Sequence, residues 1–346
     1  MSTATEPLRI DGSHGEGGGQ IIRTALSLSA LTGRPLELIN IRAGRPKPGL
    51  QAQHLTSVLA AAQVCDAALD GAHVGSTALW FRPGSAAESR DCRFDIGTAG
   101  ATTLVAQTLL PVMLNHTAKV TLTGGTHVPF APSADYLARV FLPTIRPLGV
   151  TAEAIVEASG FYPRGGGTLV LRTEAGTLSP GEWVERGKLK HLTAVITTSN
   201  LPDHVYERGA AAIDHAMKKL GRTVRFDRQT PDGLQSGAAV LLVAECEGAI
   251  AGFGAIGERG KPMEAVCDKA VKAFVRWWKS GAALDEHLAD QLVLPMALAG
   301  GESRWTTEAV TEHLRTVCWL VPQFLPVEAT VEEREDGTGL VTIRGK

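Results

Sequence analysis

The segment Asp11-Gly-Ser-His-Gly-Glu-Gly-Gly-Gly-Gln20 decides how this chain is interpreted, because five of its ten residues are glycine. Ile21-Ile-Arg-Thr24 follows it with the apolar spacing of a helix. A glycine-rich loop that opens a helix presents free N–H groups at the positive end of the helix dipole, which suits phosphate. Glu16 fits such a loop if a divalent cation bridges its carboxylate to phosphate oxygens. From the loop alone, an ordinary glycine-rich turn is the simpler interpretation, and the spacing matches neither a P-loop nor a dinucleotide fingerprint.

Composition limits the class of protein. The chain has 346 residues, of which 44% are hydrophobic and 20% charged, so it is long and apolar enough for a globular fold of two or more domains. Its net charge of −2 gives no bulk attraction to nucleic acid. The five scattered cysteines indicate reduced thiols, and we find neither a signal segment nor an apolar span of membrane length. We expect a cytoplasmic protein with no membrane association; its oligomeric state is not indicated.

An internal repeat organises most of the chain. Predicted helices over 20–31 and 51–64 alternate with predicted strands over 36–41, 67–69 and 78–82, and the same order recurs from Phe94 and from about Leu284. Gln107-Thr-Leu-Leu-Pro-Val-Met-Leu and Gln291-Leu-Val-Leu-Pro-Met-Ala-Leu share Gln, Leu, Pro and Leu at equivalent positions. We therefore predict an α+β fold whose large domain stacks three repeats, each with two helices on a β-sheet. Chance similarity of short apolar patterns is the alternative.

A segment between the second and third copies does not fit the repeat. It reads as strand, helix, two strands and helix, which predicts a smaller inserted α/β domain over 186–280. The large domain then comprises 1–185 plus 281–346. Gly252-Phe-Gly-Ala-Ile-Gly257 has a suggestive glycine spacing, but no helix opens until Met263, so we predict a loop there. Trp277-Trp278 is interpreted as core.

Equivalent positions in stacked repeats tend to face one shared region. Lining up the copies gives two such sets of polar side chains, Arg23, Gln107 and Gln291 in one and His54, Tyr136 and His313 in the other. We expect them to form a polar cleft in which an imidazole, largely unprotonated near neutral pH, is able to attack phosphorus. A hydrogen-bonded structural histidine is the alternative for any one position.

Two further groups are candidates for ligand binding. His287 and Asp290 lie three residues apart on one predicted helix face, where they either hold a nucleotide or form an exposed helix start capped by Asp285. Arg42, Arg45 and Lys47 form the densest basic loop, which either binds phosphate or is simply solvated.

Four long motifs resemble those of the RNA 3′-terminal phosphate cyclases, bacterial type. They are Asp11-Gly-Ser-His-Gly-Glu-Gly-Gly-Gly-Gln-Ile-Ile-Arg-Thr24, Ile41-Arg-Ala-Gly-Arg-Pro-Lys-Pro-Gly-Leu-Gln-Ala-Gln-His-Leu55, Gly160-Phe-Tyr-Pro-Arg-Gly-Gly-Gly167 and His287-Leu-Ala-Asp-Gln-Leu-Val-Leu-Pro-Met-Ala-Leu-Ala-Gly300. The similarity covers nearly the whole chain and is loosest after about Lys188. It implies the same three-repeat domain with a small insert.

The resemblance also implies a reaction. A histidine attacks the α-phosphorus of ATP and releases pyrophosphate; the AMP passes to the RNA 3′-phosphate, and the 2′-hydroxyl then displaces AMP to leave a 2′,3′-cyclic phosphate. The matching histidine is His313, and Glu16 matches a carboxylate that binds Mg²⁺ or Mn²⁺. The matching ATP-binding positions are Gln107, His287, Leu288, Ala289, Asp290 and Gln291. The phosphate and substrate site is matched by Arg23, Arg42, Gln53 and His54, to which we add Arg45 of the same basic loop.

Two alternatives come from other functional classes. A cyclase-like ribosome-assembly protein binds without catalysis, but such relatives lack the nucleophilic histidine that stands here at His313. An enolpyruvyl transferase shares the repeat type but not the long motifs. If the favoured interpretation is correct, the imidazole of His313 lies opposite the loop that carries Glu16.

Overall fold

The fold is a mixture of helices and four-stranded sheets, which confirms the α+β class. The computed structural model describes residues 6–84 and 91–345. In this part of the chain, the strands form four sheets of four strands each. No described helix combines the length and the apolar character that crossing a bilayer requires. All five cysteines are buried thiols.

The first sheet has the order β1-β2-β4-β3 and carries two long helices. Its elements are β1 (Leu8–Asp11), α1 (Gly19–Thr32), β2 (Leu36–Ile39), α2 (Ala52–Cys65), β3 (Ala68–Asp70) and β4 (Leu79–Arg82). β1 pairs parallel with β2, and the other two pairings are antiparallel. The apolar face of α1, which includes Ile21, Ala25 and Leu28, is buried in the main core.

The second sheet has the order β5-β6-β8-β7 and the same pattern of one parallel and two antiparallel pairings. Its elements are β5 (Asp91–Asp95), α3 (Thr102–Met113), β6 (Ala118–Gly124), α4 (Ala134–Tyr136), α5 (Leu142–Ile145), β7 (Thr151–Ala158) and β8 (Gly167–Glu174). A π-helical turn, Leu137–Phe141, joins α4 to α5. Ser133 is the N-cap of α4, because its Oγ accepts a hydrogen bond from the Tyr136 N–H at 3.1 Å.

Two sheets share the remainder of the chain. The elements of one are β9 (Glu182–Trp183), α8 (Glu286–Gln291), α9 (Val293–Leu298), β14 (Glu302–Thr307), α10 (Glu312–Leu320), β15 (Val327–Glu333) and β16 (Gly339–Gly345). The elements of the other are β10 (Leu189–Ser199), α6 (Asp203–Lys219), β11 (Arg225–Gln229), β12 (Gly237–Cys246), β13 (Ile250–Ile256) and α7 (Met263–Ser280). β9 pairs parallel with β14, so the second of these sheets falls in sequence between two neighbouring strands of the first.

The prediction of a loop over 252–257 is wrong. β13 occupies most of that stretch and pairs antiparallel with β12 from Ala239↔Ile256 to Glu245↔Ile250. The glycines serve packing instead, since a Cβ added to Gly252 would lie 2.9 Å from the Tyr136 ring. Trp277 is fully buried in the core beneath this sheet, which confirms its interpretation as core.

Candidate active site

A cavity of about 850 Å³ lies where the N-terminus of α1 meets α2, α3, α8 and α10. Among the side chains that line it are Glu16, Arg23, Arg42, Arg45, Gln53, His54, Gln107, His287, Asp290, Gln291 and His313. Residues from four separate stretches of the sequence therefore meet in one place. Leu288 and Ala289 do not line the cavity; both are completely buried behind its wall.

The N-terminus of α1 forms one wall. Gly18, its N-cap, is extended, and no described side chain caps the free N–H groups that follow. A Cβ added to Gly19 would lie 2.4 Å from Nε2 of His54 and 2.8 Å from Nη1 of Arg23. Only a residue without a side chain leaves this space open, and the space is bounded by hydrogen-bond donors, an arrangement that suits an anion.

His54 is a neutral donor in this wall. Its Nδ1 accepts a hydrogen bond from the Gln51 backbone N–H at 3.1 Å, which leaves the proton of the neutral ring on Nε2. Burial, followed by the charges of Arg23 and Arg42, lowers the pKa of His54 to about 3. The ring therefore stays uncharged at neutral pH and points its Nε2 toward the space above Gly19.

The cavity carries an excess of positive charge. Burial lowers the pKa of Arg23 to about 10, so its guanidinium is still protonated at neutral pH. Burial raises the pKa of Asp290 to about 8, against the opposing effect of Arg23, so this carboxyl is mostly protonated at pH 7. Arg42 and Arg45 add two more cations. The site is therefore prepared for a polyanionic ligand.

His313 begins α10 and faces the glycine-rich loop. Thr311, the N-cap, accepts a hydrogen bond from the Leu314 N–H at 3.1 Å and fixes this turn. His313 Nε2 contacts one carboxylate oxygen of Glu16, whose other oxygen contacts Arg45, and His313 Nδ1 lies 3.8 Å from Asp290 Oδ2. Burial lowers the pKa of His313, with Glu16 opposing and Arg23 adding to the effect. Its imidazole is therefore available as a free base at neutral pH.

Two buried amide atoms in the cavity wall lack hydrogen-bond partners among the described residues. Nε2 of Gln107 and Oε1 of Gln291 are buried, and neither has a hydrogen-bond partner among the described residues. A buried amide without a partner costs free energy, which a polar ligand removes by bonding to it. Both side chains reach the cavity from helices that the sequence comparison had aligned.

Comparison of the sequence with known proteins identifies the family. The family model described as RNA 3′-terminal phosphate cyclase matches residues 14–331. The chain belongs to this family. It is 45% identical to a protein of that name from Methylococcus capsulatus, over 98% of this chain and 96% of the relative. It is 46% identical to one from Pyrobaculum neutrophilum, over 94% and 95%, and 41% identical to one from Nostoc punctiforme, over 95% and 97%.

In this member of the RNA 3′-terminal phosphate cyclase family, Asp285 fixes the helix that carries His287 and Asp290. Its Oδ1 accepts from the backbone N–H groups of His287 and Leu288 at 3.0 Å, so the expected N-cap is confirmed. The same oxygen accepts from the Tyr136 hydroxyl at 2.8 Å, and Oδ2 accepts from the Gly252 N–H at 3.0 Å. One buried carboxylate thus joins α8 to the helix α4 and to the strand β13. The sequence suggested the cap but gave no sign of the other two contacts.

Part of the wall was missed from the sequence. The segment 128–133, together with Val240, 254–256, Glu258 and Lys269 of the 189–280 region, also lines the cavity. Most of these side chains are apolar or small, so no motif marked them. Interpreting β13 as a loop also hid the proximity of its sheet to the site.

We expect Asp285→Ala to lower the free energy of unfolding of this cyclase-family protein by about 3 kcal/mol or more, because three backbone and one hydroxyl donor lose their acceptor. Tyr136→Phe, which removes one donor and leaves the cap intact, should cost about 1 kcal/mol. Urea denaturation checks both values. Equal losses in the two variants would contradict the bridging role of Asp285.

We expect His54 to make stability depend on pH. The unfolded chain binds a proton at this ring near pH 6.5, whereas the folded protein does so only near pH 3. Acid therefore favours unfolding, and the stability present above pH 6.5 is lost as the pH falls toward 3. Between pH 6.5 and 5 the wild-type protein should lose about 2 kcal/mol more than His54→Gln. Urea denaturation at both pH values measures the difference, and parallel pH profiles would contradict it.

Proposed function

We propose that this chain converts the 3′-terminal phosphate of RNA to a 2′,3′-cyclic phosphate at the expense of ATP. The observation that supports it most directly is the contact of His313 with Glu16, inside a cavity lined by three arginines, in a member of this family. A nucleophile next to a binding site for several phosphates is what nucleotidyl transfer requires. The enzyme is then a ligase that acts through nucleotidyl transfer.

The reaction proceeds in three displacements at phosphorus. A ring nitrogen of His313 attacks the α-phosphorus of ATP, and the bond to the β-phosphate oxygen breaks to release pyrophosphate. An oxygen of the RNA 3′-phosphate then attacks the histidine-bound AMP and frees the imidazole, giving RNA(3′)pp(5′)A. Finally the neighbouring 2′-hydroxyl loses its proton and attacks the 3′-phosphorus, and AMP leaves. Each step exchanges one P–N or P–O bond for another, which divides one difficult reaction into easier ones.

The cavity residues divide between the two substrates. Gln107, His287, Asp290 and Gln291 hold ATP, with the unpartnered amide atoms of Gln107 and Gln291 meeting its polar groups. Leu288 and Ala289 are buried behind the cavity wall, where their packing holds the backbone of α8 in place beneath His287 and Asp290. Arg23, Arg42, Arg45, Gln53 and His54 surround the phosphates together with the N-terminus of α1. Fixed donors of this kind stabilise the charge that develops on the equatorial phosphate oxygens.

A divalent cation fits at Glu16. Among the described residues, no three His, Cys, Asp or Glu side chains are grouped to hold a metal ion. Mg²⁺ commonly keeps several waters and binds through one or two carboxylates plus substrate phosphates, and Mn²⁺ prefers the same oxygen ligands. Glu16, which lines the cavity, is therefore suited to an ion that arrives with ATP. When bound, the ion neutralises triphosphate charge.

We further infer three repeats and an insert. Three of the sheets each contain one parallel pair of strands, β1 with β2, β5 with β6 and β9 with β14, and we assign one repeat to each of these sheets. In that division the large domain comprises 1–185 plus 281–346, and the insert comprises 186–280. The insert interpretation is supported by a separate apolar core built from 192–277. A cytoplasmic location stays a prediction.

The decisive assay uses a 5′-labelled RNA oligonucleotide that ends in a 3′-phosphate. With ATP and Mg²⁺, we expect the end to become resistant to phosphatase, with one AMP and one pyrophosphate released for each cyclised end. The same oligonucleotide with a 3′-hydroxyl is the control and should remain unchanged. If the 3′-phosphate stays sensitive to phosphatase at all ATP concentrations, the proposal is wrong.

A further inference from the structure

The three most exposed large apolar side chains in the described ranges belong to neighbouring loops beside the cavity. Phe130 is fully exposed, Tyr162 is 72% exposed and Leu234 is 67% exposed. We call Phe130, Tyr162 and Leu234 the aromatic rim. Phe130 itself lines the cavity, so the rim continues outward from the site. Apolar side chains left in water beside a binding cavity mark a contact surface.

Backbone pairing holds the first two rim loops together. His127 forms a parallel bridge with Phe161, and their rings stack with centroids 5.3 Å apart. The backbone N–H groups of Thr126 and His127 both donate to the Gly160 carbonyl, at 2.9 and 3.0 Å. Phe130 follows His127 by three residues, and Tyr162 directly follows the buried Phe161. The two exposed rings therefore belong to loops that backbone hydrogen bonds hold next to each other.

The third rim loop is attached from the other side. A Cβ added to Gly166 would lie 2.5 Å from Cδ1 of Leu234, so this leucine covers the glycine turn. The Ser159 N–H donates to the Asp232 carbonyl at 2.6 Å, and the Arg164 N–H donates to Gln235 Oε1 at 3.0 Å. Arg164 is exposed, and in the sequence it lies between Tyr162 and the glycines 165–167.

The backbone of Phe130 supplies an independent sign of function. Its φ is +62°, in the left-handed region that large side chains rarely adopt. Pro129 and Ala131-Pro132 flank it, so the loop has little freedom to relax. Strain of this kind costs free energy and persists mainly where it positions a functional group. Here it places a bare aromatic ring at the edge of the cavity.

We propose that the aromatic rim is a stacking platform for the nucleotides that precede the 3′-terminal phosphate of a single-stranded RNA. Phe130 and Tyr162 stack on bases, and Arg164 contacts the phosphodiester between them. This inference rests on the proposed function, because an RNA whose terminal phosphate enters the cavity must leave it across an adjoining surface. Stacking on aromatic rings is independent of base identity, so the platform accepts RNA ends of any sequence. It also lets a chain of net charge −2 hold RNA without a large basic surface.

The test compares two RNA lengths with the full-length enzyme. Phe130→Ala and Tyr162→Ala should each weaken binding of a 5′-fluorescein decanucleotide 3′-phosphate about 10-fold, measured by anisotropy without ATP. KM for cyclising that decanucleotide should rise by a similar factor, whereas KM for a dinucleotide 3′-phosphate should rise less than about 2-fold for Tyr162→Ala. Labelling of the protein by ATP alone should not change in Tyr162→Ala, because Tyr162 does not line the cavity. Tyr162→Phe should retain wild-type binding, and Trp80→Ala, which removes an exposed aromatic ring outside the cavity, is the matched control.

The outcomes separate this inference from the proposed function. Unchanged decanucleotide affinity in both alanine variants overturns the platform, even if the wild-type enzyme cyclises RNA normally. Reduced labelling by ATP in Tyr162→Ala overturns it as well, because that ring then belongs to the nucleotide site. A wild-type protein that cyclises neither length refutes the proposed function, whereas the binding measurement still reports on the platform.

Discussion

His313→Asn is expected to abolish covalent labelling of the protein by α-³²P ATP, with a loss of roughly 1,000-fold or more. Asparagine keeps a polar side chain next to Glu16 but has no nitrogen lone pair able to attack phosphorus. In the wild-type protein the label should be acid-labile and alkali-stable, as a phosphoramidate is. Cyclisation of RNA should fall by the same factor, because every later step consumes the labelled species.

The control for this variant is His215→Asn, on the exposed face of α6. It removes an imidazole far along the chain from the candidate site and should leave labelling unchanged. Label that survives in His313→Asn at the wild-type level would exclude His313 as the nucleophile. Absence of label from the wild-type protein would remove the covalent mechanism altogether.

Gly19→Ala is expected to lower kcat/KM for ATP by roughly 100-fold, because a displacement of about 1 Å at a reacting group has a cost of that order. The added methyl group would lie 2.4 Å from His54 Nε2 and 2.8 Å from Arg23 Nη1, so both donors must move away from the phosphates. The first residue of α1 tolerates alanine, so the helix itself should form normally. Steady-state kinetics with varied ATP measure the effect, and the urea midpoint checks that folding is preserved.

A second glycine offers a close comparison. No described atom lies within 4 Å of a Cβ added to Gly44, which sits between Arg42 and Arg45 in the basic loop. Gly44→Ala should therefore keep kcat/KM within about 2-fold of wild type. If Gly19→Ala were equally harmless, the space above Gly19 would not hold the phosphates of ATP.

Elements with a strong apolar period were predictable from the sequence. The helices α1 and α2 lie within two residues of their predicted ends, because each has one face buried in a core. The short first strands were missed. β1 has one buried residue, Ile10, and β9 is two residues long, so neither shows an alternating pattern. Pairing with a distant strand creates such elements, and local sequence does not encode it.

The candidate site was predictable to the extent that its residues form motifs. Glu16, Arg23 and His54 lie in long specific stretches, and the structure places their side chains on one cavity. Leu288 and Ala289 share a motif with Asp290, yet they point into the core, because successive residues of a helix face different directions. Contacts between residues that are distant in the sequence could not be predicted from the sequence alone. The bond from the Gly252 N–H to Asp285 joins residues 33 positions apart, and it depends on a strand that had been interpreted as a loop.

The strands β9 and β14 are adjacent and parallel in one sheet. The chain therefore leaves that sheet after β9 and returns to it at the neighbouring strand β14. A change in the length of the intervening segment would leave this strand pairing intact, but the segment also supplies Val240, 254–256, Glu258 and Lys269 to the cavity wall. A replacement for this segment must also present a backbone amide where Gly252 now stands, or Oδ2 of Asp285, the N-cap of α8, loses its hydrogen-bond donor.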